Sequence, residues 1–340
     1  MEDGLLEERE GEAISVTRTP SLVAPTGAYL VTGGAGFIGS NLVEALVDAG
    51  ASVRVLDDFS TGRRQNLDEF LDRIELFEGS ITEPATCAAA CEGIDFVLHQ
   101  AALASVPRSV TNPAATHAAC ATGTLNMLIA ARDAGVRRFV YAGSSSAYGD
   151  TPTLPKVESM PSLPRPPYAV AKLAGEQYCK AFSLVYGLET VVLRYFNIFG
   201  PRQGPASQYS AVIPLFITKA LAGEGPTIDG GGEQTRDFTY VENAVQANLL
   251  GCGADAEAVS GEVFNVGCGD RISVSQLWEA IREATGTRVE SVAGPSRDGD
   301  VRDSLASLEK IQGRMGYSAT VSLAEGLRRT VESLREAQAG

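Results

Sequence analysis

The sequence predicts an α/β fold, in which a doubly wound parallel sheet carries a smaller C-terminal domain. From residue 28 onward, short apolar runs alternate with stretches of helical periodicity. The runs are apolar throughout, as is typical of strands that a parallel sheet buries on both faces. Right-handed crossovers between such strands place helices on both sides of the sheet. After Asn197 glycine and proline become frequent, which indicates a second and smaller unit.

Each element of this alternation can be placed along the chain. Residues 1–27 are acidic and polar, with Pro20 and Pro25 near their end, and predict a disordered extension. Strand-like runs cover 28–31, 53–56, 74–77, 96–99, 139–142 and 190–196, and helical patterns lie at 38–49 and near 83–92, 113–134 and 168–187. Later patterns predict a helix near 211–222, short strands at 238–241 and 263–266, and helices near 274–284 and 322–336.

The charge and composition of the chain exclude several classes of protein. Of its 340 residues 28 are basic and 42 acidic, so a net charge of −14 repels the phosphates of nucleic acids. No apolar run is long enough to span a membrane. The acidic N-terminus lacks the apolar stretch of a secretory signal, so we expect a cytoplasmic protein. Six cysteines without CxxC spacing and two histidines predict buried thiols and no metal site.

A glycine-rich turn follows the first predicted strand, in residues 32–39 (Thr-Gly-Gly-Ala-Gly-Phe-Ile-Gly). Gly33 allows a tight turn, Gly36 lets the backbone approach a pyrophosphate, and Gly39 lets the following helix pack closely. The amino end of that helix offers free N–H groups and a partial positive charge to the phosphates. Strand, turn and helix together predict a Rossmann unit that binds a dinucleotide.

An acidic residue, Asp57, ends the second predicted strand, 18 residues after Gly39. A carboxylate at this position accepts hydrogen bonds from both hydroxyls of the adenosine ribose and repels a 2′-phosphate. NAD is therefore favoured, while Arg63 and Arg64 close by leave NADP as the alternative.

Two further motifs supply groups for proton transfer. Tyr168 and Lys172 are four residues apart, so a helix places them on one face. A lysine ammonium and a positive nicotinamide ring would lower the tyrosine's pKa and make it a base for a substrate hydroxyl. The serine run of Ser144, Ser145 and Ser146 follows a predicted strand, at the edge where a doubly wound sheet binds its ligands.

In this order the motifs resemble the extended short-chain dehydrogenase/reductase family, and within it the UDP-galactose and UDP-N-acetylglucosamine 4-epimerases. The segments that carry the resemblance are 32–39, 55–62, 99–106, 144–149, 168–172, 193–197, 236–238 and 297–300. It implies NAD-dependent inversion of the C4 hydroxyl of a UDP-sugar through a 4-keto intermediate. It also implies a nucleotide-binding domain over 28–199, with a returning segment at about 236–267, and a substrate-binding domain over 200–235 and 268–340.

The resemblance gives roles to individual residues. Tyr168 would be the base and Lys172 its ribose-binding partner, while Ser144 would bridge to sugar O4. Ser145 would be a further sugar contact. The implied NAD contacts are Gly33, Gly36, Phe37, Ile38, Gly39, Asp57, Asp58, Phe59, Ser60, Thr61, Gly62, Ser80, Ile81, Gln100, Ala101, Ala102, Tyr168, Lys172 and Tyr195. The implied substrate contacts are Ala104, Ser105, Ser144, Ser145, Ser146, Tyr168, Asn197, Ala211, Val212, Thr227, Asp229, Arg236, Arg297 and Ser304. Of these, Asn197, Arg236 and Arg297 fall where the family holds the diphosphate.

Several positions depart from the pattern of the family or of some of its members. Ser80 stands where an Asp often meets the adenine amino group, and Cys120 stands where an Asn normally supports the lysine through water. Ala104 replaces a Lys of some galactose epimerases, as in the N-acetylhexosamine branch. Ser304 replaces a tyrosine that fills the space beside sugar C2, so an acetamido group could fit there.

The resemblance also bears on assembly and on competing functions. Family dimers pair the helices near 113–134 and 168–187 in a four-helix bundle, so we expect a homodimer. Family dehydratases carry Asp-Glu, and decarboxylases a Glu, where this chain has Ser145 and Ser146. UDP-glucuronate epimerases tend to lack an Asn at the position of Asn197. A non-catalytic NAD-binding sensor is the remaining alternative, although it would not need a buried phenolate.

Overall fold

The computed structural model describes residues 24–204, 212–295 and 302–339. Its strands are β1 (Ala28–Thr32), β2 (Ser52–Asp57), β3 (Ile74–Glu78), β4 (Phe96–His99), β5 (Arg138–Ser144), β6 (Glu189–Tyr195), β7 (Ile198–Phe199), β8 (Thr227–Asp229), β9 (Thr235–Arg236), β10 (Thr239–Tyr240), β11 (Glu262–Val266), β12 (Ile272–Ser273) and β13 (Val292–Gly294). In this part of the chain, seven parallel strands form one sheet in the order β11-β6-β5-β4-β1-β2-β3. The order reverses between β1 and β4, where a doubly wound sheet binds its ligand. The predicted fold class is confirmed.

Helices cover both faces of this sheet. They are α1 (Phe37–Asp48), α2 (Pro84–Cys91), α3 (Val106–Thr111), α4 (Pro113–His117), α5 (Gly123–Asp133), α6 (Pro167–Tyr186), α7 (Val212–Leu221), α8 (Val241–Gly253), α9 (Ala256–Val259), α10 (Val274–Thr285), α11 (Glu309–Met315) and α12 (Leu323–Ala339). Val31 of β1 packs in the core beneath α1 and α8, and Leu30 packs in the core beneath α2, α5 and α6. Successive strand residues enter opposite cores, as the two-residue period of a strand requires. No helix among the described residues has the length and apolarity to cross a membrane.

Helix α8 is the largest difference from the sequence prediction. The strand predicted at 238–241 shrinks to β10, because Val241 already begins the helix. Short apolar runs do not distinguish a strand from the first turn of a helix. The helix predicted near 113–134 is also divided, since a π-helical turn at Ala118–Thr122 separates α4 from α5. Helices α3, α9 and α11 were not predicted.

A third core lies in the C-terminal part of the chain. Trp278 on α10 packs edge-on against Phe216 on α7, with ring centroids 5.8 Å apart, and Leu327 on α12 joins them. Phe37 and Ile38, at the amino end of α1, pack against this core. This third core therefore lies against the amino end of α1, directly after the glycine turn.

Candidate active site

A cleft of about 910 Å³ opens at the carboxyl ends of the sheet strands. Its lining includes most of the residues predicted to contact NAD, namely Gly33, Gly36, Phe37, Ile38, Gly39, Asp57, Asp58, Ser60, Thr61, Gly62, Ser80, Ile81, Gln100, Ala101, Ala102, Tyr168, Lys172 and Tyr195. The predicted substrate residues Ala104 and Ser105 line it as well. Phe59 lies outside this lining, and its ring packs under the Arg64 guanidinium at 4.1 Å.

The glycine turn leaves no room for a side chain at two positions. Gly33 has a φ of +67°, and a Cβ there would lie 2.8 Å from the backbone of Ala101. A Cβ on Gly39 would lie 2.0 Å from the carbonyl oxygen of Gly33. Because the turn and α1 are pressed together in this way, the amino end of α1 faces the cleft and fits a pyrophosphate.

Asp57 ends β2 and lines the cleft. Its Oδ2 accepts a hydrogen bond from the N–H of Ala35 at 2.9 Å, and its Oδ1 accepts one from Phe59 at 2.8 Å. Burial raises the pKa of Asp57, and these two bonds act in the opposite direction. Arg64 is paired with Glu78. The site therefore fits NAD, whose ribose hydroxyls can donate to the carboxylate.

Three candidate catalytic groups converge beside the cleft. Tyr168 and Lys172 project from α6 into it. Ser144 ends β5, and its Oγ accepts a hydrogen bond from the N–H of Ser146 at 3.2 Å. The Ser144 side chain is near enough to the Tyr168 hydroxyl to lower the pKa of that phenol. A hydroxyl, a phenol and an ammonium are thus held in one corner of the cleft, which suits proton transfer to and from a bound alcohol.

The protein groups by themselves do not make Tyr168 acidic. Burial raises the pKa of Tyr168, Cys120 raises it further, and the Ser144 side chain offsets part of this effect. Burial also lowers the pKa of Lys172. The lowered tyrosine pKa that we expect from Lys172 and a positive nicotinamide ring together stays a prediction. With NAD bound, the positive nicotinamide ring would add to the stabilisation of the phenolate.

Cys120 occupies the π-helical turn that faces these groups. It is completely buried and packs with Ala171 and Tyr168. Burial raises the pKa of its thiol, while the nearby Lys172 lowers it. Since a thiol is a weak hydrogen-bond donor and acceptor, this position offers mainly apolar contact where an Asn would offer an amide. All six cysteines are free, and the described residues contain no group of His, Cys, Asp and Glu that could hold a metal ion.

A hydrogen-bonded triangle at the base of the cleft was only partly predicted. The Tyr195 hydroxyl donates to Gln100 Oε1 at 3.2 Å, and Asn248 Nδ2 donates to the Tyr195 oxygen at 2.7 Å. Gln100 Nε2 donates to Asn248 Oδ1 at 3.1 Å. Asn248 lies on the unpredicted helix α8. Polar residues on the buried side of that helix, Asn243 and Asn248, are the signal that could have found it.

The predicted diphosphate and sugar contacts lie in several segments. Arg236 Nη1 donates to the carbonyl oxygen of Arg302 at 3.1 Å, and the N–H of Ser304 donates to Thr235 at 3.1 Å, so the structure brings Arg236 and Ser304 close together. Asn197 is exposed directly after β6, with a φ of +32°. The remaining predicted contacts outside the cleft lining are Ser145 and Ser146 after β5, Thr227 and Asp229 on β8, and Val212 at the start of α7. Ala211 and Arg297 lie outside the described residues.

Comparison with known proteins places this geometry in a family. Residues 29–267 match the model of the NAD dependent epimerase/dehydratase family. A UDP-glucose 4-epimerase of Mycolicibacterium smegmatis is 38% identical over 310 residues, which are 90% of this chain and 98% of that protein. The structure of a Thermotoga maritima UDP-glucose 4-epimerase with UDP-glucose is 37% identical, with a TM-score of 0.87, over 92% of this chain and 99% of that one. A Methanobrevibacter ruminantium UDP-N-acetylglucosamine 4-epimerase in complex with UDP-N-acetylmuramic acid is 36% identical, with a TM-score of 0.88 and the same two coverages. The chain therefore belongs to the NAD dependent epimerase/dehydratase family, a group of extended short-chain dehydrogenases/reductases.

Proposed function

We propose that this protein is an NAD-dependent 4-epimerase of UDP-sugars. The observation that carries the proposal is the meeting of Tyr168, Lys172 and Ser144 beside a cleft whose wall is the glycine turn. Such an arrangement suits oxidation and reduction at one carbinol carbon of a bound sugar. Similar proteins of known structure include 4-epimerases of UDP-glucose and of UDP-N-acetylglucosamine.

The reaction follows from the positions of these groups. The Tyr168 phenolate takes the proton of the C4 hydroxyl while the C4–H bond breaks and a C4=O bond forms. Bound NAD supplies the hydride acceptor for this step and the hydride donor for its reversal. The 4-keto sugar would then turn over, the hydride held by bound NAD would return to its opposite face, and Tyr168 would return the proton to O4. Ser144 holds O4 during both transfers, and Lys172 favours the phenolate by its charge.

Other reactions of the family fit the site less well. Dehydration and decarboxylation would need a carboxylate just after the catalytic serine to move a proton elsewhere on the sugar. This chain has Ser145 and Ser146 at those positions. Their hydroxyls can hold a sugar but are too weakly acidic for that work.

We propose that the segments 200–235 and 268–340 bind the UDP-sugar and that N-acetylated sugars are accepted. The third core, around Trp278, Phe216 and Leu327, supports a separate domain in this part of the chain. Ser304 is 8% exposed and held beside Arg236, so a small side chain stands at the proposed sugar wall. The matching NAD-binding part would be 28–199 with the returning segment 236–267.

We also propose a homodimer that pairs α6 and the helices before it with their copies. An apolar stripe on the outer face of α6 includes Val170, 51% exposed, and Leu184, 87% exposed. Val110 on α3 and Ile129 on α5 are exposed as well. Leu184→Asp should convert the dimer to a monomer in sedimentation velocity at micromolar concentration, whereas Leu71→Asp, on an exposed site remote from α6 in sequence, should not. A monomeric wild type would contradict this assembly.

A cytoplasmic location is proposed as well. The free cysteines suit a reducing compartment, in which thiols stay unpaired. Fractionation of cells that express the protein would check this, and recovery outside the cytosol would contradict it.

The test of the proposed activity is direct. Purified protein is incubated with UDP-glucose or UDP-N-acetylglucosamine without added NAD, and the products are resolved by NMR. We expect the corresponding C4 epimers from the wild type. No turnover of any UDP-sugar by protein that contains bound NAD would overturn the proposal.

A further inference from the structure

The ammonium of Lys172 is buried without a carboxylate partner. Lys172 is 4% exposed, and in the described part of the chain no ion pair includes it. Burial lowers its pKa, since the charged form loses water. A buried charge needs compensation from its surroundings to stay charged. The thiols of Cys120 and Cys179 lie near enough to raise the pKa of Lys172, but burial raises their own pKa values, so they are uncharged at neutral pH.

The ring of Tyr141 lies directly against this ammonium. The Lys172 Nζ is 4.4 Å from the ring centroid, and Tyr141 is completely buried in β5. The Tyr141 hydroxyl donates a hydrogen bond to the carbonyl oxygen of Lys172 at 3.1 Å. One side chain thus contacts both the charged end and the backbone of the lysine. A cation over an aromatic face is attracted most strongly where water is excluded, as here.

The surroundings of Tyr141 are shaped to hold the ring in this place. A Cβ on Gly175 of α6 would lie 2.3 Å from the Tyr141 hydroxyl oxygen. The Tyr141 ring therefore requires a glycine at this position, although glycine is a poor helix former. His99 stacks on the same ring, with centroids 5.9 Å apart. Thr32 and Thr124 hold the two ring nitrogens of His99 at 2.8 and 3.1 Å.

The histidine adds no competing positive charge. Burial, with a contribution from Lys172, lowers the pKa of His99 to about 3, so the imidazole is neutral at physiological pH. His99 therefore supports the ring of Tyr141 without repelling the ammonium. Thr32, which is hydrogen-bonded to His99, directly precedes Gly33 of the glycine turn. The stacked rings are therefore connected to that turn.

We infer that Tyr141 is a positioning residue, whose ring keeps Lys172 charged and in place beside Tyr168. The inference rests on the proposed function, in which the lysine must be protonated to favour the phenolate. The aromatic ring of Tyr141, and not its hydroxyl, attracts the Lys172 ammonium. Loss of the ring should therefore make Lys172 lose its proton at lower pH.

The test compares three variants over a range of pH. Tyr141→Leu removes the ring, Tyr141→Phe keeps it, and Phe139→Leu removes a buried ring on the same strand face that packs against His99 instead. For Tyr141→Leu we expect kcat/KM to fall about tenfold more at pH 9 than at pH 7, as the attraction of a buried cation to a ring predicts. Tyr141→Phe and Phe139→Leu should keep the shape of the wild-type profile. NAD retained through gel filtration at pH 9 should fall in Tyr141→Leu alone.

Each result of this comparison either supports or overturns the role inferred for Tyr141. Equal pH profiles for Tyr141→Leu and Phe139→Leu would overturn the inference, and so would a Tyr141→Phe profile that shifts as far as that of Tyr141→Leu. If Tyr141→Leu does not fold, Gly175→Ala, whose Cβ displaces the ring, should give the same shift, and an unshifted profile would refute the inference. If the wild type turns over no UDP-sugar, the proposed activity fails, while NAD retention still tests the role of Tyr141.

Discussion

A buried carboxylate, Asp237, should make the stability of this protein depend on pH in an unusual direction. Asp237 is completely buried, and two other segments of the chain pack around it. Its oxygens accept hydrogen bonds from the N–H groups of Cys268 at 2.8 Å, Gly269 at 3.1 Å and Ala306 at 3.2 Å. Burial nevertheless raises the pKa of Asp237 to about 6. The folded protein therefore takes up a proton there more readily than the unfolded chain.

The sign and size of the effect follow from this difference. With a folded pKa near 6 and an unfolded value near 3.8, the folded state binds the proton more tightly between these pH values. The contribution to stability is complete below the unfolded value and is lost as pH rises through 6. The full difference corresponds to about 3 kcal/mol, of which about 2 kcal/mol falls between pH 4 and pH 7. The thiol of Cys268 and the hydroxyl of Tyr317 nearby have raised pKa values and stay uncharged throughout.

The comparison with Asp237→Asn isolates this group, because the variant cannot titrate there. Urea unfolding of both proteins is followed by circular dichroism at pH 7, 6, 5 and 4. The unfolding free energy of the wild type minus that of the variant should increase by about 2 kcal/mol on acidification. A constant difference, or a wild type that loses stability relative to the variant, would contradict the raised pKa of Asp237. It would show that the three N–H groups lower this pKa at least as much as burial raises it.

Two further outcomes concern the active site. Tyr168→Phe removes the base and keeps the ring, so kcat should fall by orders of magnitude at unchanged melting temperature, while Ser144→Ala should cost less. Near-normal turnover of Tyr168→Phe would assign the base elsewhere. Ser304→Tyr should lower kcat/KM on UDP-N-acetylglucosamine by roughly ten- to a hundredfold and spare UDP-glucose, since overpacking costs about 1–3 kcal/mol. An unchanged ratio of the two kcat/KM values would remove Ser304 as the wall of the sugar pocket.

Local motifs explain why much of the nucleotide site could be predicted. The turn at Gly33 and Gly39, the acid Asp57 and the pair of Tyr168 and Lys172 each lie within a few residues of a recognisable strand or helix. Their chemistry depends on short-range spacing, which a single sequence displays. The doubly wound sheet then brings them to one cleft, because parallel strands end at the same edge.

Long-range packing explains what the sequence did not show. The contact of Asn248 with Tyr195 joins residues far apart in the chain, and no local pattern pairs them. The ring of Tyr141 reads as an ordinary buried strand residue until α6 is placed over it. The burial of Asp237 could not be predicted either, because its three N–H partners come from two other segments. The thiol of Cys120 could be noticed only as a departure from a family, and its apolar surroundings required the structure.

In the proposed reaction, hydride leaves and returns to the same carbon of a bound UDP-sugar. UDP-glucose or UDP-N-acetylglucosamine that carries deuterium at C4 is incubated with the purified protein in ordinary water without added NAD, and the product is examined by NMR. We expect the C4 epimer with deuterium retained at C4, since the label is held on the bound cofactor between the two transfers. Loss of the label to solvent, or an absolute requirement for added cofactor in each turnover, would contradict the account.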